Sequence, residues 1–348
     1  MEEKSKWHRG IIASCETKAQ RTFTPTQAVI EAAAGIYLWT ADGRKLLDYT
    51  SGVLVANLGH HPTSVNKAMS AIFDCSISNF DVPVGFNVAI PLTAYNAITP
   101  IESVATKHLI DFCQARRGGA RLQKVIWAAS GAEAIQKALW ACMALDKSRP
   151  MILATRYGFH GKKGLSGAVT GSETDPERDP RVRFISFPRE ECNDVSRRGE
   201  TFDTVPYQRE LDALWNELGQ RIGTLITEPY LGGGGSYHPP KEYLQLLQSF
   251  CREHGISFIL DEVQANFGRT GEMFAFETYG LEPDIVVMGK GLGNGVPVAA
   301  AIGRADIFDS LNYGEASDTW SANPLSCAAV EATLREYESR DVLGPMRE

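Results

Sequence analysis

The sequence predicts an α/β protein with a mainly parallel central sheet covered by helices on both faces, accompanied by a smaller domain. Two observations carry this. From about residue 105 to residue 302, short apolar runs rich in β-branched residues alternate with helical stretches. That alternation is the pattern of parallel strands buried on both faces. The 348 residues also exceed one domain of roughly 150 residues, leaving room for a second unit.

The elements follow in order. Ile36-Tyr37-Leu38-Trp39 and Leu46-Leu47-Asp48-Tyr49 flank the turn Ala41-Asp42-Gly43-Arg44, and Asp-Gly between two apolar runs predicts a β-hairpin. Ala105 to Ala115 has the spacing of an amphipathic helix, Lys124 to Ala128 that of a buried strand, and Ala132 to Leu145 that of a helix. Strands are predicted at 151–154, 183–186 and 224–227, then a helix from Lys241 to His254, then strands at 257–261, 285–288 and 296–302. A charged, Pro-containing span from about Glu177 to Asp203 reads as a solvated excursion, and 326–338 as a final helix.

Composition narrows the function classes. The net charge of −7 argues against a general nucleic-acid binder, which needs a basic face. No stretch approaches the ~18 uninterrupted apolar residues of a membrane span. Met1-Glu2-Glu3-Lys4 opens the chain without an apolar h-region, so neither a signal nor a transit peptide is expected, and a cytoplasmic protein is. Seven cysteines at 15, 75, 113, 142, 192, 251 and 327 are scattered, with no C-x-x-C pair. Neither a disulfide framework nor a zinc cage is expected, and no metal site is assigned. His60-His61 has no acid or Cys at ligand spacing and reads as a loop.

In such sheets ligands sit beyond the carboxyl ends of the strands. After strand 124–128 comes Ser130-Gly131-Ala132-Glu133, with capping-box spacing. Its free N–H groups would suit a phosphate, although a capped helix that binds nothing has the same sequence. Strand 257–261 ends in Asp261-Glu262. A carboxylate there needs a cation or hydrogen bonds, and Glu262 reads equally as a structural acid. Strand 285–288 runs into Gly289-Lys290-Gly291-Leu292-Gly293. Lys290 could be a nucleophilic amine of the kind that forms Schiff bases, or a lysine exposed in a Gly-rich turn. The spacing fits neither a P-loop nor a dinucleotide fingerprint. Gly232 to Gly235 reads as a flexible loop, with no Lys-Ser or Lys-Thr after it.

The run from Ile259 to Ala275, with Asp261-Glu262-Val263-Gln264 and Gly268-Arg269-Thr270-Gly271, then Pro283-Asp284-Ile285 and Gly289-Lys290-Gly291, resembles the signature of class III (subgroup II) aminotransferases. Asn57-Leu58-Gly59-His60, Ser130 to Ala134, Phe159-His160-Gly161, Glu228-Pro229, and Thr319 before Asn323-Pro324 stand in the family's order, so the resemblance spans about Tyr37 to Arg335. It implies fold-type I architecture with pyridoxal 5′-phosphate as cofactor, and an amino group moved from a small amine or amino acid to a 2-oxo acid by a ping-pong route. Residues 1–75 would be the N-terminal part of a small α+β domain and 76–325 the cofactor-binding large domain. Residues 326–348 would begin a C-terminal segment that is mostly absent.

Residue by residue, the resemblance implies Lys290 as the Schiff-base lysine and proton carrier. Asp261 would be the partner of the pyridine nitrogen. Ser130, Gly131 and Ala132 would be the phosphate cup, and Phe159, with His160 beside it, and Val263 the two faces around the ring. Gln264 would reach the ring hydroxyl, and Glu228 would stand on the substrate side. Thr319 matches a residue that contacts the phosphate of the neighbouring subunit, which implies a homodimer with shared sites. The net charge and the lack of a membrane span leave no nucleic-acid or membrane partner expected. Arg269 is expected to be a structural ion-pair partner. Two departures stand out: Thr319-Trp320-Ser321-Ala322, preceded by Asp318, stands where the family usually has Thr-Phe-Gly-Gly, and Phe159 replaces a tyrosine. The same cofactor motifs would also serve an aminomutase, a racemase, a decarboxylating transaminase or a truncated non-catalytic member.

Overall fold

The computed structural model describes residues 2–20, 27–73, 88–93, 97–175, 178–193 and 201–347. Cys75, the expected domain boundary at 75–76 and part of the 177–203 span lie outside the described residues. A three-stranded antiparallel sheet comes first, formed by β1 (Ile30–Ala34), β2 (Tyr37–Thr40) and β3 (Lys45–Leu47). The β2–β3 hairpin pairs Tyr37 with Leu47 and Trp39 with Lys45, as Asp42-Gly43 predicts. β1 was not anticipated, because Ile30-Glu31-Ala32-Ala33-Ala34 is mostly exposed and offers no alternation to detect.

The main sheet has seven strands: β4 (Lys124–Ala128), β5 (Met151–Thr155), β6 (Val182–Ile185), β7 (Ile222–Thr227), β8 (Ser257–Asp261), β9 (Ile285–Met288) and β10 (Ala299–Gly303). Their order is β4-β10-β9-β8-β7-β5-β6. Every residue of β5, β7, β8, β9 and β10 is buried, as a sheet covered on both faces requires. Two buried apolar clusters supply the cover. Leu153, Leu225 and Leu260 belong to one, Ile152, Ile226 and Ile259 to the other, so successive residues of each strand feed opposite faces. β10 alone runs antiparallel to its neighbours β4 and β9. The connection from β9 is a tight Gly-rich turn, too short for the crossover a parallel strand needs.

The longer helices are α1 (Glu3–Cys15), α2 (Thr63–Ser70), α3 (Pro100–Gln114), α4 (Gly131–Leu145), α5 (Val205–Leu218), α6 (Lys241–His254) and α8 (Pro324–Ser339); α7 (Ala275–Tyr279) is short. Thr99 and Glu102 form a capping box ahead of α3, with Pro100 at its first position. α6 buries Tyr243, Leu244, Leu247, Phe250 and Cys251 along one stripe and stops at Gly255, whose φ is +61°. α8 packs on α2 and α3, joining the N-terminal part to the sheet domain. The 177–203 span is not simply solvated: it carries β6, whose Val182, Phe184 and Ile185 are buried at the sheet edge.

β4 and β9 both oppose β10, so the ends of β4, β5, β7, β8 and β9 emerge on one side. Almost all the candidate residues follow those ends.

Candidate active site

Asp261 closes β8 and is 4% exposed. One oxygen, Oδ2, lies 2.7 Å from His160 Nδ1, and the other accepts the Val263 N–H at 3.0 Å. A carboxylate partner places the imidazole proton on Nδ1. His160 Nε2 is then left buried with no hydrogen-bond partner. The imidazole fits because residue 158 is glycine, where a Cβ would stand 2.8 Å from Nε2. His160 thus contacts Asp261 and holds the carboxylate in place.

Lys290 is the second residue beyond β9, on the strand next to Asp261. Its φ is +46°, a left-handed conformation that costs a non-glycine residue about 1–2 kcal/mol. Its amine has no hydrogen-bond or ion-pair partner among the described residues. Burial draws its pKa below the ordinary lysine value and the Arg269 charge acts in the same direction, while Asp261 and Glu228 oppose them. Asn266 holds the turn by donating to the Gly289 carbonyl at 3.0 Å.

Glu228 follows β7 and is 4% exposed. It is not an incidental loop residue: Oε2 accepts the Phe159 N–H at 2.9 Å and Oε1 the Gly232 N–H at 3.2 Å. Burial pushes its pKa up to about 7, helped by Asp261 and opposed by His160 and the two N–H donors. Phe159 is exposed, at 47%. The loop Gly232–Gly235 comes close to the site. A Cβ on Gly232 would lie 1.7 Å from Gln264 Oε1, and one on Gly233 would lie 3.1 Å from Phe159 Cβ.

On the third side, Ser130 caps α4 by accepting the Glu133 N–H at 3.3 Å. Glu133 reaches the Ala129 N–H at 2.9 Å rather than that of Ser130, a shifted capping box. The Gly131 and Ala132 N–H groups have no partner among the described residues. Val263 joins this corner to the others: a Cβ on Gly131 would stand 3.0 Å from its Cγ1, and one on Gly289 3.3 Å. Ser130, Gly131, Ala132, Val263 and Lys290 therefore converge, with Asp261, His160, Glu228, Phe159 and Gln264 beside them. Thr319 does not join them; it is exposed, on a turn leading into α8.

Several expectations change. Arg269 pairs with no carboxylate among the described residues; Nη2 donates to Asn57 Oδ1 at 2.7 Å, and Nε is buried without a partner. Asn57, known from the sequence only as a motif letter, also donates to the Phe267 carbonyl at 3.0 Å and so fastens the N-terminal part to the site. Glu262 is a structural acid, fully buried and accepting the Ala275 and Phe276 N–H groups at 2.7 Å each, at the start of α7. His60 pairs with Asp48 at 2.7 Å, an acid distant in spacing but close in the fold. Among the described residues no cluster of His, Cys, Asp or Glu could hold a metal ion.

This geometry fits pyridoxal phosphate. Free N–H groups at a helix start suit a phosphate. An unpartnered amine with a depressed pKa suits a carbonyl, and a fixed buried carboxylate suits a ring cation. Fold and site together define a fold-type I pyridoxal-phosphate-dependent transferase.

The chain matches the class III aminotransferase family over residues 18–347 and belongs to it. An acetylornithine aminotransferase of Agrobacterium fabrum is 31% identical over 322 residues, covering 90% of this chain and 70% of that protein. A probable 4-aminobutyrate aminotransferase of Bacillus subtilis is 30% identical over 308 residues, covering 86% of this chain but only 66% of the relative. The chain thus spans about two thirds of that relative's length. Among solved structures, a pyridoxal-phosphate-bound amine transaminase from an uncultivated Pseudomonas species superposes with a TM-score of 0.75 at 26% identity, covering 94% of this chain and 73% of that one. Taurine:2-oxoglutarate aminotransferase from Bifidobacterium kashiwanohense has a TM-score of 0.82 at 23% identity, covering 98% and 74%, and shares the fold. Among the described residues no helix is long and apolar enough to cross a membrane.

Proposed function

We propose that this chain is an aminotransferase that moves an amino group from a small amine or amino acid to a 2-oxo acid by a ping-pong route. The observation that carries this is the juxtaposition, on adjacent strand ends, of a Lys290 amine that has no partner among the described residues and whose pKa burial depresses, and a buried, hydrogen-bonded Asp261 carboxylate. Pyridoxal phosphate, when bound, supplies the carbonyl that carries the amino group and the ring that accepts electron density.

The residues divide the remaining work. Lys290 Nζ, its proton loosened by burial, holds the cofactor and then takes up and returns a proton. Asp261 offers a carboxylate to a protonated ring nitrogen, with His160 and the Val263 N–H preventing it from turning away. Gly131 and Ala132 donate N–H groups to the phosphate, with Ser130 setting the helix start. The exposed Phe159 side chain and the Val263 side chain hold the ring between them, and Gln264 reaches the ring hydroxyl. Glu228 fixes both Phe159 and Gly232, so the stacking ring and the loop beside Gln264 share one anchor.

On the same reading, Thr319 serves the phosphate site of a second copy, making the protein a homodimer with shared sites; its exposure favours this. Residues 1–75 then form part of a small domain and 76–325 the cofactor domain, with 326–348 following it. A cytoplasmic location is favoured by six described cysteines that are all unpaired thiols, as a reducing compartment maintains them. A screen of amino acids and ω-amines, followed through the absorption of the bound cofactor, tests the activity. Conversion of the cofactor by at least one donor, reversed by a 2-oxo acid, is expected. Holoprotein inert to every donor would support a non-catalytic role.

A further inference from the structure

Lys137 is a buried charge that the reading above leaves unused. It sits on α4 among Ala134, Ile135, Ala138 and Leu139 and is 3% exposed. Burying an ammonium is expensive unless it is paired and hydrogen-bonded, and here both conditions are met. Nζ donates to the Trp127 carbonyl at 2.8 Å and to Ser321 Oγ at 3.2 Å, and it pairs with Asp318 Oδ2. Glu133 Oε1 lies 3.9 Å away.

The partners sit on two different pieces of chain. Trp127 and Glu133 flank the turn from β4 into α4, where Glu133 also holds the Ala129 N–H. Asp318 and Ser321 belong to the turn that carries Thr319. Asp318 organises that turn, accepting the Trp320 and Ser321 N–H groups at 2.8 Å each and the Ser321 hydroxyl. Burial pushes the Asp318 carboxyl up, but the bonds from Lys137, Ser321 and the two backbone N–H groups outweigh it and hold the group charged. Asn323 closes the turn by donating to the Trp320 carbonyl at 2.9 Å. Thr319 thus stands on a short turn tethered to α4 through buried Lys137, by its pair with Asp318 and its bond to Ser321.

We propose that Lys137 is a positioning residue for cofactor phosphate, fastening the Thr319 turn to the helix whose N-terminus receives a phosphate. This rests on the reading that Gly131, Ala132 and Thr319 serve phosphate sites. Lys137 touches no cofactor; it acts through Asp318 and the β4–α4 turn. Lys137 and Asp318 share no hydrogen bond or ion pair with Asp261 or Lys290 among the described residues, so loss of the tether weakens binding of the phosphate and leaves the ring contacts intact.

The test compares pyridoxal 5′-phosphate with pyridoxal, which lacks the phosphate, by absorbance titration of the apoprotein. The variants are Lys137→Met, Asp318→Asn, the double variant and Thr319→Val. The expected result is about a tenfold loss of affinity for the phosphate form in Lys137→Met and Asp318→Asn, with pyridoxal affinity unchanged. The double variant should lose no more than either single one, because the two side chains act as one unit. A purely structural tether would lower both affinities together, which would overturn the proposal. Asp318→Asn keeps the turn-forming oxygen and provides the readout should Lys137→Met fail to fold. If Thr319→Val lowers phosphate-form affinity while Asp318→Asn does not, the positioning role is wrong and the phosphate reading stands. If Thr319→Val and Asp318→Asn both bind the two ligands as the parent does, the reading of Thr319 fails with it.

Discussion

Replacing Asp261 by Asn isolates the charge of the site from its shape. The side chain is 4% exposed, with one oxygen 2.7 Å from His160 Nδ1 and the other accepting the Val263 N–H at 3.0 Å. Asparagine is isosteric. Its carbonyl can keep the Val263 bond while its amide faces His160, provided the imidazole shifts its proton to Nε2, the atom now lacking a partner. The fold should therefore survive with a loss of about 1 kcal/mol, one ordinary hydrogen bond. What disappears is a charge-assisted hydrogen bond to a protonated ring nitrogen, worth about 1.5–3 kcal/mol. At roughly 1.4 kcal/mol per tenfold, the half-reaction with a saturating donor should slow by about 10- to 150-fold. Stopped-flow absorbance of the holoprotein measures it, with thermal unfolding as the control for folding. A variant that retains the cofactor and reacts within about threefold of the parent would refute the role given to Asp261.

Three further outcomes are expected. Gly232→Ala puts a methyl where Gln264 Oε1 now lies, 1.7 Å from the ideal Cβ. Displacing Gln264 should cost about one hydrogen bond, or 3- to 10-fold in cofactor affinity by titration. Glu262 is fully buried, and burial raises its carboxyl to about 8 against the two backbone N–H groups that pull it back. The folded state therefore holds this proton more tightly than the unfolded chain, so its contribution to stability falls as pH rises from about 4.5 to 8. Denaturant unfolding across that window should show a shallower decline in Glu262→Gln than in the parent. Arg149 donates to the carbonyls of Ile222, His254 and Gly255, clasping the end of α6 to the start of β7. Arg149→Met should lower unfolding free energy by about 2–4 kcal/mol, read from the urea midpoint at unchanged slope.

The sheet was legible because its strands are buried on both faces, so Met151 to Thr155, Ile222 to Thr227 and Ser257 to Asp261 are apolar or nearly so along their lengths. Elements that lie on the surface were not: β1 is almost wholly exposed, and α5 buries only Leu211 and Leu218. At the candidate site, the placement of Lys290, Asp261 and the Ser130 turn just past strand ends was readable, because the strands that precede them are themselves legible. The supporting contacts were not, since they join residues far apart in the chain. His160 meets Asp261 across 101 positions, Arg269 meets Asn57 across 212 and Lys137 meets Asp318 across 181. A lysine inside an otherwise apolar helical stripe was the one available hint of the last. The ion pair expected for Arg269 failed for a related reason: an amide oxygen satisfies a guanidinium N–H as a carboxylate does, and spacing cannot distinguish them.

The central claim is that Lys290 carries the cofactor. Borohydride reduction of protein purified with pyridoxal phosphate, followed by peptide mass mapping, tests it most directly. The expected result is a cofactor adduct on the peptide containing Lys290, absent from Lys290→Ala. Holoprotein whose adduct falls on another lysine, or whose Lys290 stays unmodified after reduction, would contradict it.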